Sequence, residues 1–191
     1  ETKQSLEDLY LPYKQKRRTK AQVAREAGLE PLADALFNDP TLDPEIEAAK
    51  YVNAELEPAE KHVADIKAAL DGARQILMER FSEDAALLAK LRSYLGDYAL
   101  LVSTVVEGKE TVGAKFRDWF DFRENIQTLP SHRALALLRG RKEDVLRLAL
   151  KTEQELRDPP ESSPCAAMVS GHFSISDQGR AADKWLQETA R

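Results

Sequence analysis

The amino-acid sequence predicts an all-α, mainly helical protein, and three observations carry that prediction. Charged residues make up 32% of the 191 positions while Gly occupies only 8, a composition that favours helix. Apolar side chains recur by threes and fours, as in Val63, Ile66, Leu70, Ala73, Leu77 and Phe81. Capping and breaking residues punctuate those runs at helix-like intervals. The expected architecture is a helix-turn-helix-like unit over residues 1–40 packed on a multi-helix bundle over 41–150, with at most one or two short strands. A linker or surface loop is expected at 151–164 and C-terminal helices at 165–191.

Residues 1–9 read as the tail of a helix with Leu6 and Leu9 on one face. Pro12 biases Tyr10–Tyr13 toward extended or turn geometry. Thr19 is placed to cap a helix carrying Ala21, Val23, Ala24 and Ala27. Gly28 can take the left-handed conformation that ends it, and Pro31 suits the first turn of the next helix, with Leu32, Ala33, Leu36 and Phe37. Asp43 and Pro44 begin a helix running to about Asn53, and Pro58 marks another start. A five-turn amphipathic helix is expected over 60–80.

Leu88, Leu91, Leu95, Tyr98, Val102 and Val105 then form a 3-4-3-4-3 seam, which predicts a second long helix despite Gly96 and the β-branched run Val102–Val106. Val112, Phe116, Trp119 and Phe120 mark one face of a helix over 110–122. Pro130-Ser131 starts a short helix through Leu135 and Leu138, ended by Gly140. Alternation of Leu146, Leu148 and Leu150 allows a short strand whose partner would lie outside this sequence. KTEQELRDPPESSP, residues 151–164, has the charge and prolines of a linker. A short helix over 166–173 and a last one begun by Asp177 or Gly179, packing through Ala182, Trp185 and Leu186, complete the chain.

The balance is acidic, 33 Asp and Glu against 28 Lys and Arg, so any affinity for nucleic acid must be local. A single cysteine, Cys165, excludes an internal disulfide framework and fits a reducing compartment. No apolar run approaches the roughly 20 residues needed to cross a bilayer. The chain opens on Glu1 inside a helical pattern and stops at Arg191 at the end of another, which reads as a piece of a longer protein.

Two basic islands are the candidate nucleic-acid-binding residues. The first is Lys14, Lys16, Arg17, Arg18 and Lys20, flanked by Tyr10 and Tyr13. Five phosphate contacts there would give a salt slope of about −3.5 on single strands. The bland alternative is a solvated loop whose cations pair with neighbouring carboxylates. The second is Arg133, Arg139 and Arg141, with Lys142 and Arg147, beside Ser131 and His132. Phosphate, an acidic partner face or plain interdomain packing could each explain it. A sequence-specific DNA reader is disfavoured: no Lys or Arg occurs between Leu29 and Ala49, while Glu30, Asp34 and Asp39 would repel a duplex. His62, His132 and His172 are far apart and lack a metal-binding spacing, Cys165 has no evident activating neighbour, and no phosphate-cradling glycine loop is present. No catalytic set, metal site or cofactor is therefore expected.

Three stretches carry a resemblance to a known family. LYLPYKQKRRTKAQVAREAGLEPLADAL at Leu9–Leu36, LPSHRALALLRGR at Leu129–Arg141 and GHFSISDQGRAADKWLQET at Gly171–Thr189 resemble, in order, the bacterial Tex proteins, which are transcription accessory factors. Gln15 stands where the pattern has Pro. The resemblance implies cytoplasmic action, association with the transcription machinery and RNA or DNA binding. It also implies continuation into a YqgF-type nuclease-like domain, helix-hairpin-helix motifs and an OB-fold RNA-binding domain. The expected role is a non-enzymatic, monomeric scaffold that adds weak, non-specific nucleic-acid contacts. The rival is a docking module for the remaining domains, with Trp185 and the Leu146–Leu150 strand facing the partner.

Overall fold

The structure is a computed structural model and describes residues 2–14, 18–53, 62–157 and 163–191. Its contacts gather into two compact units, Glu1–Ala89 with Cys165–Arg191, and Lys90–Pro164.

In the first unit α1 (Lys3–Tyr10) leads into a 3-10 turn at Leu11–Tyr13. The helix α2 (Lys20–Glu26) starts at Thr19, whose Oγ1 accepts from the Gln22 amide at 3.0 Å and supplies a partner to an otherwise orphaned donor. Gly28 follows at φ +80°, a conformation costly for any residue with a Cβ. Next come α3 (Glu30–Asn38), with Pro31 in its first turn, and α4 (Pro44–Ala49), capped by Asp43. The long α5 (Ile66–Ser82) is capped by Asp65 and buries Ala69, Ala73, Ile76, Leu77 and Phe81 along one stripe. A Cβ at Gly72 would run into Leu29 Cδ1 and reach Ala24 Cβ at 3.3 Å, so the glycine lets α2 lie close on α5.

The C-terminal part belongs to the same core. From α9 (Pro164–His172), Phe173 stacks on Phe81 at 4.2 Å, with Phe37 edge-on to it. At the start of α10 (Asp183–Thr189), the buried Asp183 accepts from the Gln178 and Arg180 amides and from Arg180 Nε, all within 2.9 Å. The Arg180 side-chain hydrogen bond, assisted by those amides, holds the Asp183 carboxyl below the usual aspartate range.

The second unit overturns the all-α expectation. The helix α6 (Ala85–Tyr98) stops two residues after Gly96, and the chain continues as β1 (Ala99–Val105). With β2 (Asp121–Asn125) and β3 (Leu146–Thr152) it forms a three-stranded antiparallel sheet in the order β2-β1-β3. The reason is specific. Leu95, Tyr98, Val102 and Val105 fit a helical seam, but the β-branched Val102, Thr104 and Val105 also fit a pleated surface, and β1 gains a partner on both edges. The expected helix over 110–122 is instead a 3-10 stretch, Ala114–Trp119, leading into β2. The strand at Leu146–Thr152 pairs with β1 inside this chain, and not with an external partner. Residues assigned to a linker split between the end of β3 and α8 (Glu153–Arg157); residues 158–162, like the helix start at Pro58, lie outside the described residues.

One face of the sheet packs on α7 (Ser131–Lys142) and the 3-10 stretch, around Phe116, Leu137, Val145 and Leu146. Gly140 does not end α7 as the sequence predicts. It lies buried within it, where a Cβ would run into Leu146 Cδ1 and reach Phe116 at 3.3 Å. Leu137 is 0% exposed and Leu135, two positions away on the opposite side, is 67% exposed. Leu137→Ala is expected to lower unfolding free energy by about 2–5 kcal/mol and Leu135→Ala by less than about 0.5 kcal/mol, measured by urea denaturation. Equal effects would contradict this packing of α7.

Candidate nucleic-acid interface

The first basic island sits at the start of α2. Lys14 ends the 3-10 turn and is exposed, as are Arg18 and Lys20, whereas Lys16 and Arg17 lie outside the described residues. The described cations are set among carboxylates. Arg18 pairs with Glu26 at 2.7 Å, and the neighbouring Arg25 pairs with Glu79 and, at 3.5 Å, with Glu30. Thr19 serves twice, accepting from Gln22 and donating to Glu79 Oε1 at 2.9 Å. A depression of about 370 Å³ here is lined by Lys14, Arg18, Arg25, Glu79 and Glu83 together, so its charge is mixed.

The α3 carboxylates are likewise engaged: Arg80 of α5 meets Asp34 at 2.8 Å and Glu30 at 3.8 Å, while Leu32, Ala33 and Leu36 are buried. What the sequence reads as a helix-turn-helix-like unit is a short helix pair whose second member packs and ion-pairs against α5.

The second island divides. Arg133 at the start of α7 is held by Glu124 of β2 at 2.8 Å. Arg139, Arg141 and Lys142 lie in the last turn of α7, exposed, with no ion pair among the described residues. Cations there complement the helix dipole, which is their bland role. Arg147 leaves this group. On β3 it lies across from Thr104, and strand alternation puts it on the face turned away from α7.

That outer face holds residues the sequence does not bring together. Val102 lies across from Arg123 of β2 on one side and Ala149 on the other, and Leu100 across from Asn125 and Lys151. Arg123, Arg147 and Lys151 therefore share one exposed sheet face with the half-buried Leu100 and Val102. Each is polar within an unremarkable local pattern. Only the strand register collects them.

Charge follows the same division. Residues 90–164 contain 13 Lys and Arg against 12 Asp and Glu, net +1, while the rest of the chain contains 15 against 21, net −6. Trp185, expected to be partner-facing, is buried in the first unit. Among the described residues no group of three or more His, Cys, Asp or Glu is placed to hold a metal ion. His172 instead meets Asp84 at 3.0 Å, and Asp84 caps α6 through the Leu87 amide. No helix among the described residues is long and apolar enough to cross a membrane.

These features define an α-rich module with a small antiparallel sheet and positive charge gathered locally. Residues 39–191 match the model of the Tex central region-like family. The chain is 58% identical to Protein YhgF of Escherichia coli (strain K12) over 96% of its length, and 53% identical to Protein tex of Bordetella pertussis over its whole length. It is 49% identical to the Transcriptional accessory protein Tex of Neisseria gonorrhoeae, again over its whole length. The chain belongs to the Tex family, as its three motifs imply. It spans about a quarter of the length of these relatives.

The double role of Thr19 gives a direct check on the first island. Thr19→Ala is expected to cost about 1 kcal/mol of stability through the lost cap, measured by thermal unfolding, with polyanion affinity unchanged. A loss of affinity without loss of stability would make Thr19 part of a binding surface.

Proposed function

We propose that this region is a non-enzymatic scaffold of a cytoplasmic transcription accessory protein, adding weak, sequence-independent contacts to RNA or DNA. The observation that carries this reading is the set Arg139, Arg141, Lys142 and Arg147, exposed and without an ion pair among the described residues, on the unit with net positive charge. Such cations release counterions from a polyanion and carry no base readout, so binding is non-specific and salt-dependent. The name of the Neisseria gonorrhoeae relative supports a role in transcription. The α3 surface supports no groove-reading role, because its acidic side chains are turned to Arg25 and Arg80.

A second reading, docking of other domains, draws on Leu135 and Leu138, both exposed on α7 next to the cations. In that case the last turn of α7 faces protein and contributes nothing to polyanion binding.

Fluorescence anisotropy with a short labelled oligonucleotide at low salt separates the two. Charge reversal of Arg139, Arg141 and Lys142 is expected to weaken binding by about tenfold or more and to reduce the salt slope by about 2. The same change at Lys16, Arg17 and Arg18 is expected to give a smaller loss. Affinity undiminished in the first triple variant assigns α7 to docking, and undiminished affinity in the second removes the first island from the interface.

A further inference from the structure

On the outer sheet face, near the end of α6, two depressions of about 550 and 220 Å³ open side by side and share Leu100, Asn125 and Glu153 in their linings. Arg123, Leu156 and Arg157 line the larger, Tyr94 and Tyr98 the smaller. The tyrosine rings lie 5.0 Å apart at 37°, and Tyr98 is 60% exposed. Asp97 is tied to the sheet, its carboxylate accepting from Gln127 Nε2 at 2.9 Å and its carbonyl from Asn125 Nδ2 at 3.3 Å. The aromatic pair is thus fixed beside the groove by the start of β1 and the end of β2.

An exposed aromatic ring beside a groove that includes Leu100 and Leu156, with the cations of the outer sheet face next to it, is a surface on which a single strand can lie. Unpaired bases stack on aromatic faces, and cations follow the backbone. A duplex keeps its bases stacked inside and would touch only the charges. Lys151 lies across from Leu100 on the same sheet face, outside both linings, and Arg147 continues the positive line about 13 Å along β3 at the ordinary strand rise. Asp97, Glu124 and Glu153 line the depressions as well, so the cations without an ion pair among the described residues are those of the sheet face, Arg123, Lys151 and Arg147. Glu124 is held by Arg133 and Glu153 lies 3.8 Å from Arg157, while Asp121 sits across from Thr104 at the far end of β2.

We propose that this groove and the sheet face beside it bind a single-stranded polynucleotide, with one base stacked on Tyr98 and phosphates passing over Arg123, Lys151 and Arg147. The inference rests on the nucleic-acid reading given above and names a site for it, distinct from the last turn of α7. It takes RNA or DNA, because stacking and charge do not distinguish the sugar.

The test is anisotropy at low salt with the 191-residue chain, using labelled oligo(U), oligo(dT), a mixed-sequence duplex of equal length, and inorganic polyphosphate as competitor. Tyr98→Ala is expected to weaken both single strands about tenfold, the effect of losing one stacked base. It should leave the duplex affinity and the polyphosphate competition constant unchanged, and Tyr98→Phe should restore binding. The pair Arg123→Gln and Lys151→Gln is expected to lower the single-strand salt slope by about 1.4. Circular dichroism confirms that each variant folds, which the exposure of Tyr98 favours. Single-strand binding insensitive to Tyr98→Ala but lost on charge reversal in α7 overturns the groove and leaves the wider reading standing. No binding of any polyanion by the unaltered chain overturns both.

Discussion

The pairing of β1 with a strand on each side is the constraint on which the second unit depends. Backbone amides and carbonyls of Ala99–Val105 must find partners if that segment is to be covered, and β2 and β3 supply them in an antiparallel register. Register in turn fixes which side chains share a face, since a one-residue slip would exchange the two sets. In the observed register Phe122, Leu146 and Leu148 turn toward α7 while Arg123, Arg147 and Lys151 turn away. The same hydrogen bonds that build the core therefore arrange the surface charge.

The first unit follows a different logic. Ion pairs among Arg25, Arg80, Glu79 and Asp34 join α2, α3 and α5 over a core of Leu32, Leu36, Ile76 and Leu77. Exposed pairs of this kind contribute little individually, and burial of the apolar stripe contributes far more. Within the run that looks positive when read along the chain, the described Arg18 is likewise paired, with Glu26. A basic stretch in sequence becomes an available basic surface only where the fold places no carboxylates beside it.

Much of the first unit was legible because its signals are local. Thr19 caps within three residues, Gly28 ends its helix at φ +80° and Pro31 opens the next, so each assignment needs only its own neighbours. The sheet was not, because strand pairing joins residues up to 53 apart in sequence, as in Ala99 with Thr152. Leu95, Tyr98, Val102 and Val105 satisfy both periods, and β2, DFREN, is too polar to announce itself. Arg147 is legible as a cation, but sequence order groups it with Arg139 and Arg141, whereas strand pairing sets it across from Thr104. The spacing of Tyr98 fits a helical packing seam, yet the residue is largely exposed at the end of α6.

Nuclear Overhauser contacts across β1 report its pairing on both edges. Backbone contacts of Val102 with both Arg123 and Ala149, and of Thr104 with Arg147, are expected in the solution state of the chain. A continuous helical pattern of i to i+3 contacts from Leu95 through Val105 would contradict it, and with it the shared face of Arg123, Arg147 and Lys151.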